Sequence, residues 1–199
     1  IEANIIVPVP DSGVPAAIGY SQKVGKSFEL GLIRNHYVGR TFIEPTQQIR
    51  SLGVKLKHNV NKTLIKNKSL ILIDDSLVRG TTSIKIIKML YDSGAKEVHL
   101  RIASPPIKYP DYYGVDTPNE NELLASKNNI EEMRQIVNAK TLKFLSIEGL
   151  YKSMGYEKRN SSYPQFTDHC FTGDYPIKPI DTNDKDFIEN RLTLMSSKP

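Results

Sequence analysis

The sequence predicts an α/β fold, a mainly parallel sheet flanked by helices. Three observations carry the prediction. Residues 70–73 are a short apolar run, Leu-Ile-Leu-Ile, that meets turn chemistry at Asp74 and Asp75; such a run reads as a strand buried on both faces. Residues 4–9 read as another strand and pass through a Pro/Gly/Ser turn into a helical pattern, the start of a βαβ unit. Residues 97–103 alternate Val98, Leu100 and Ile102, and a helical stripe of Ile84, Ile87, Met89 and Leu90 separates them from the 70–73 run.

The remaining elements follow in order. Pro10 and Gly13 break the backbone around Asp11 and Ser12. Ala16, Ala17, Ile18, Tyr20 and Val24 give the next helix its apolar side, and Gly25 stops it. Residues 28–33 read as one strand. Residues 34–68 show no clean periodicity, since Gly39, Pro45 and Gly53 interrupt them, and only 46–52 reads as a short helix. Residues 104–118 are irregular, with Pro105, Pro106, Pro110 and Pro118. Helices around 120–126 and 130–137 follow, with Glu131 and Glu132 on a solvated face. A short strand at 142–145 leads to a helix capped by Ser146 and ended by Gly155. Residues 156–199 are polar apart from 170–177, with a helix expected at 184–195.

With 199 residues, 39% of them hydrophobic, the chain is long enough for one sizeable core. No apolar run approaches the roughly 20 residues of a membrane helix, and no basic-then-apolar leader opens the chain. Cys170 is the single cysteine, so no internal disulfide forms. The cytoplasm is the expected compartment, with no membrane partner. The net charge of +5 is unevenly placed: residues 34–68 carry eight Lys or Arg and one acid, Glu44. A basic segment of this length suits a polyanionic partner, a nucleic acid or a small polyphosphate. As a long connection with His36, Tyr37 and Phe42, it also suits a lid that closes over an anion.

The chemistry gathers at 70–83. Asp74 and Asp75 sit at a strand's carboxyl end, where open α/β sheets bind ligands. The loop behind them holds Gly80 and four hydroxyls and opens a helix, whose free N–H groups suit an anion. Two carboxylates accept hydrogen bonds from a vicinal diol or hold a metal, and backbone N–H groups beside Gly80 bind a phosphate. A diol site next to a phosphate site describes ribose 5-phosphate. Neither the P-loop lysine nor the dinucleotide Gly-x-Gly-x-x-Gly is present.

The string Ile71-Leu-Ile-Asp-Asp-Ser-Leu-Val-Arg-Gly-Thr-Thr82 resembles the phosphoribosyl pyrophosphate (PRPP) motif of type I phosphoribosyltransferases. Four further strings, Val7-Pro-Val-Pro-Asp-Ser-Gly13, Arg34-Asn-His-Tyr-Val-Gly-Arg-Thr-Phe-Ile43, Gly53-Val-Lys-Leu-Lys57 and Tyr113-Gly-Val-Asp-Thr-Pro118, narrow the resemblance to the glutamine PRPP amidotransferases, or amidophosphoribosyltransferases. It runs from about residue 3 to about 178. It implies a type I phosphoribosyltransferase domain over 1–155, with a flexible lid at 34–60 and the PRPP loop at 71–83, and a C-terminal extension over 156–199. The implied activity is transfer of the phosphoribosyl group from PRPP to ammonia, the first step of purine (IMP) synthesis.

The resemblance also implies residue roles. Asp74 and Asp75 would hold the ribose hydroxyls and, with Ser12, take part in Mg²⁺ binding. Ser76, Val78, Arg79, Gly80, Thr81 and Thr82 would wrap the 5′-phosphate, and Asp11, Ser12 and Gly13 would form the pyrophosphate loop. Arg34, Tyr37 and Arg40 would be the catalytic groups of the lid. Homo-oligomers with purine nucleotides as candidate inhibitors are the family expectation.

The departures from the family count as well. Its glutaminase begins with a catalytic cysteine, whereas this chain starts at Ile1, so glutamine hydrolysis is not expected here and the ammonia would come from elsewhere. Some members hold a four-cysteine iron–sulfur cluster. Asp111 and Thr167 stand at two of those positions, so no cluster is expected, and Cys170 reads as a small buried hydrophobe. His58, His99 and His169 have no metal-ligand spacing, and His36 reads as structural or solvent-facing. A PRPP-binding regulator without turnover and an inactive fragment of the full-length enzyme stay open as alternatives. Nucleic-acid binding is not expected, because the basic segment has few aromatics and leaves a phosphoribosyl site without a purpose.

Overall fold

The computed structural model describes residues 1–35, 58–115, 117 and 119–177. In chain order the elements are β1 (Ile5–Pro8), α1 (Val14–Val24), β2 (Ser27–Phe28), β3 (Leu32–Arg34), β4 (His58–Val60), α2 (Lys62–Ile65), β5 (Ser69–Asp74), α3 (Thr81–Asp92) and β6 (Glu97–Ile102). A 3₁₀ turn at Glu120–Glu122 precedes α4 (Leu124–Lys127), α5 (Ile130–Ile136), β7 (Thr141–Phe144), α6 (Ile147–Ser153) and α7 (His169–Thr172). Five strands form a parallel sheet in the order β2-β1-β5-β6-β7, and β3 pairs antiparallel with β4.

The two faces of the sheet explain the sequence pattern. Side chains alternate along a strand. In β5, Leu70 and Leu72 enter a large core with Ile86, Ile87 and Leu90 of α3, while Ile71 and Ile73 enter a smaller one with Ala17 of α1. Both faces of β5 are dry, so its apolar run is unbroken. In β6, Val98, Leu100 and Ile102 face the large core, and the alternate positions are polar. Arg101 is buried and donates from Nη1 to the Leu100 carbonyl (2.7 Å) and to Thr141 Oγ1 (3.0 Å).

Local rules set the helix ends. α1 carries Pro15 in its first turn, and Gly25 closes it in a left-handed conformation. Asn129 and Glu132 form a reciprocal capping box at the start of α5, and Glu131 pairs with Arg134 at 2.6 Å. The glutamates expected on a solvated face therefore also cap and brace their helix. Ser146 caps α6 by accepting from Gly149 N at 3.0 Å.

Two sequence expectations are corrected. Residues 28–33 are not one strand. The Gly31 N–H donates to the Glu29 carbonyl (2.9 Å) in a tight turn, which moves the chain from the sheet edge into the β3–β4 pair. The segment expected to lack structure through residue 68 is ordered from residue 58 by β4 and α2, and Asn61 caps α2. Elements of three and four residues are too short to show a period. The helix expected at 46–52, most of the 34–60 lid and the helix expected at 184–195 lie outside the described residues.

Residues 156–177 pack back onto the domain. Cys170 O accepts from Lys108 N and Tyr109 N. Arg159 grips Asp168 through Nε (2.6 Å) and Nη2 (3.0 Å), and the buried Tyr151 hydroxyl donates to the same carboxylate (2.9 Å). Among the described residues no helix is long and apolar enough to cross a membrane.

Candidate functional site

Because β1 and β5 run parallel, their carboxyl ends and the loops that follow lie at one edge of the sheet. The 10–13 turn follows β1 and the 75–80 loop follows β5. Val9 N donates to Ile73 O (2.7 Å), and Gly13 N to Val9 O (2.9 Å), so the turn is laced onto the end of β5. A Cβ on Gly13 would come within 2.4 Å of Ile73 O and 2.9 Å of Val9 O. Only glycine lets the backbone pass this close. The Pro10–Asp11 peptide bond in the same turn is cis.

The turn brings its side chains to the aspartate pair. Ser12 Oγ donates to Asp75 Oδ1 at 3.2 Å, joining residues 63 positions apart. Asp75 is exposed, whereas Asp74 is buried and its Oδ1 accepts from the Asp75 N–H at 3.0 Å. Burial, and then the neighbouring Asp75 carboxylate, push the Asp74 carboxyl up to about 8. Asp74 and Asp75 thus present one buried carboxyl with a raised proton affinity and one open to solvent.

The 75–80 loop is shaped from below. Leu77 is buried in the large core and anchors it. Gly80 takes φ +78° directly before α3, and its position abuts Leu124. Val78 O accepts from Leu124 N at 2.8 Å, and Arg79 pairs with Glu122 at 2.7 Å. The 120–127 segment is therefore the scaffold of this loop, a role the sequence did not signal. Ser76 and Thr82 are half-buried and Thr81 is exposed at the first turn of α3, which offers free N–H groups.

Arg34, the last residue of β3, reaches the same edge. Its Nη1 lies 2.8 Å from Asp11 Oδ2, and its buried Nε has no hydrogen-bond partner among the described residues. The structure thus gathers Asp11, Ser12, Gly13, Arg34, Asp74, Asp75 and the 76–82 loop. Tyr37 and Arg40 lie outside the described residues, as does His36.

A second polar cluster lies between the loop after β6 and α7. Asp111 Oδ2 is 2.9 Å from His169 Nε2 and 3.9 Å from Cys170 Sγ, and that sulfur is 3.5 Å from the same nitrogen. The expectation that Cys170 is a buried hydrophobe is corrected: it is half-buried with its sulfur in a polar cluster, and burial, then the Asp111 carboxylate, push its thiol up. His169 is buried and joins Asp111, 58 residues away in sequence, a pairing that spacing among the histidines does not show. A four-thiolate iron–sulfur cluster does not fit here. The chain has one cysteine, Asp111 offers a carboxylate, and Thr167 is exposed on the surface.

No family model matches the chain. Comparison with curated proteins finds an amidophosphoribosyltransferase of Rhizobium etli, 55% identical over 198 residues, which are 99% of this chain and 40% of that protein. A chloroplastic amidophosphoribosyltransferase 2 of Arabidopsis thaliana is 50% identical over 96% of this chain and 34% of its own length. Among solved structures, the glutamine PRPP amidotransferase from Bacillus subtilis complexed with ADP and GMP matches with a TM-score of 0.78 and 48% identity, covering 89% of this chain and 39% of that one. The parallel sheet with its helices is thus the type I phosphoribosyltransferase fold. The chain spans about two fifths or less of the length of these relatives.

Proposed function

Because the chain belongs with the amidophosphoribosyltransferases over the part of them that it spans, we propose that it transfers the phosphoribosyl group of PRPP to ammonia, giving 5-phosphoribosylamine and pyrophosphate. The observation that carries this reading is the Ser12–Asp75 contact, which sets the 10–13 turn against the aspartate pair at the mouth of the 75–80 loop. A pyrophosphate end and a ribose 5-phosphate end thereby become one site.

In this reading the 5′-phosphate sits on the N–H groups and hydroxyls of Ser76, Val78, Arg79, Gly80, Thr81 and Thr82. Asp74 and Asp75 accept from the ribose hydroxyls. Asp11, Ser12 and Gly13 face the pyrophosphate, and the Arg34 guanidinium, whose Nη1 reaches Asp11, supplies positive charge beside it. The donors Ser12, Asp74 and Asp75 are hard oxygens, which suit Mg²⁺, and the ion when bound supplies positive charge to the pyrophosphate. The carbon–oxygen bond at C1 breaks as the bond from ammonia forms, and the extra ammonium proton is released. No protein nucleophile is needed. Positioning, with the cationic groups around the leaving pyrophosphate, carries the rate. Tyr37 and Arg40 join Arg34 as lid residues in this reading.

The role in purine synthesis, a homo-oligomeric state, a cytoplasmic-type compartment and regulation by purine nucleotides belong to the same proposal; the ADP and GMP in the relative's structure support the last. Calorimetry of PRPP in Mg²⁺ tests the site. Binding by the parent chain that Asp74→Asn removes is the expected result, and equal binding by both would contradict it.

A further inference from the structure

We infer that Asp111, His169 and Cys170 form a binding site for a single divalent cation of the zinc type, built from residues outside the phosphoribosyl site and independent of that reading. Their three ligand atoms all lie within 4.8 Å of one another, with separations of 2.9, 3.5 and 3.9 Å. A tetrahedral zinc with one nitrogen, one sulfur and one oxygen ligand at ordinary bond lengths has edges of about 3.3–3.6 Å. The sulfur–nitrogen separation already matches such an edge, the nitrogen–oxygen pair is drawn closer by its hydrogen bond and the sulfur–oxygen pair is slightly wider, so a cation that replaces the hydrogen bond needs shifts of only a few tenths of an ångström.

The ligand types select the metal. Thiolate and imidazole favour zinc and its neighbours, whereas Mg²⁺ and Ca²⁺ take oxygen. The Asp74–Asp75 pair offers only oxygen, so the two sites differ in chemistry. No fourth His, Cys, Asp or Glu joins the group among the described residues, and the fourth position falls to a water or small anion.

The ligands are held in place by other groups. Asp111 Oδ1 accepts from Tyr113 N (2.6 Å) and Val115 N (3.2 Å), which leaves Oδ2 turned to the cluster. Cys170 is fixed through its carbonyl by Lys108 N and Tyr109 N. The rings of Tyr113 and Tyr175 lie 4.9 and 5.0 Å from that of His169. Only 4% of the His169 side chain and 7% of the Asp111 side chain are exposed. A cation here would join the loop after β6 to α7.

The test titrates the full chain, purified free of metal, with Co²⁺ as the probe. The expected result is one cobalt per chain, a near-ultraviolet thiolate-to-cobalt charge-transfer band, displacement by Zn²⁺ and indifference to excess Mg²⁺. Cys170→Ser removes the band. Asp111→Asn keeps an oxygen for Tyr113 and Val115, so it stays folded by circular dichroism and loses about tenfold or more in affinity. A folded parent with no band, cobalt that Mg²⁺ displaces, or a band that survives Cys170→Ser would overturn the site and leave a metal-free hydrogen-bonded clasp.

Discussion

The guanidinium of Arg34 lies 2.8 Å from the carboxylate of Asp11, and this pair ties the β3–β4 ribbon to the turn after β1. Both partners are substantially exposed, at 31% and 56% of their side chains, so the pair adds only about 0–1 kcal/mol to stability. Its meaning is positional: in the proposed function an arriving pyrophosphate would compete with Asp11 for Arg34. Arg34→Ala is expected to unfold in urea within about 1 kcal/mol of the parent. Its turnover should fall about 10²- to 10³-fold, as for loss of one charge-stabilising donor. Parallel loss of stability and turnover would make Arg34 a structural residue instead.

Gly13 is the tightest backbone position of the site. A methyl group there meets the carbonyl oxygens of Ile73 in β5 and of Val9 just after β1, neither of which can give way without disturbing the lacing of the turn onto β5. Gly13→Ala is expected to cost about 1–3 kcal/mol in denaturant unfolding and to abolish PRPP binding. An unchanged midpoint would show that the turn moves freely.

Asp74 links the site to pH. Its folded carboxyl titrates at about 8 against 3.8 for the free group. Between those values the folded chain keeps a proton that the unfolded chain has released. Stability therefore falls as pH rises across that window. Asp74→Asn holds no such proton, so it should melt above the parent near pH 8, with the gap closing toward pH 4, while losing PRPP affinity. A gap that does not change with pH would contradict the assignment.

Asp168 works in the opposite direction. Burial raises its carboxyl, but donors from Arg159, Tyr151 and Thr172 outweigh that and hold it below 3.8. A depressed carboxyl contributes stability above the unfolded value, and that contribution is lost as pH falls through the folded one. The parent should thus lose stability below about pH 3.8, and Asp168→Asn should show a shallower acid slope. Arg159→Leu leaves the buried carboxylate without its bidentate partner and should cost about 3–5 kcal/mol at neutral pH, read from urea midpoints.

The parts of the fold that were legible rest on burial. β1, β5 and β6 announced themselves because one or both faces are dry, and α1, α3 and α6 because Gly25, the Ile stripe and Ser146 mark them. β3, β4 and α2 were not legible, since each is three or four residues long and is held by pairing or capping. The Asp74–Asp75 edge was legible because its residues are adjacent in sequence. The Asp111–His169–Cys170 cluster and the support of Gly80 by Leu124 were not. Their partners lie 58 and 44 positions apart, and no local pattern connects them.

Release of pyrophosphate from PRPP, measured with and without ammonia in the presence of Mg²⁺, tests the central reading most directly. The expected result is release that depends on ammonia, saturates with PRPP and disappears in Asp74→Asn. A folded chain that binds PRPP and releases no pyrophosphate in ammonia would contradict it and leave a PRPP-binding regulator.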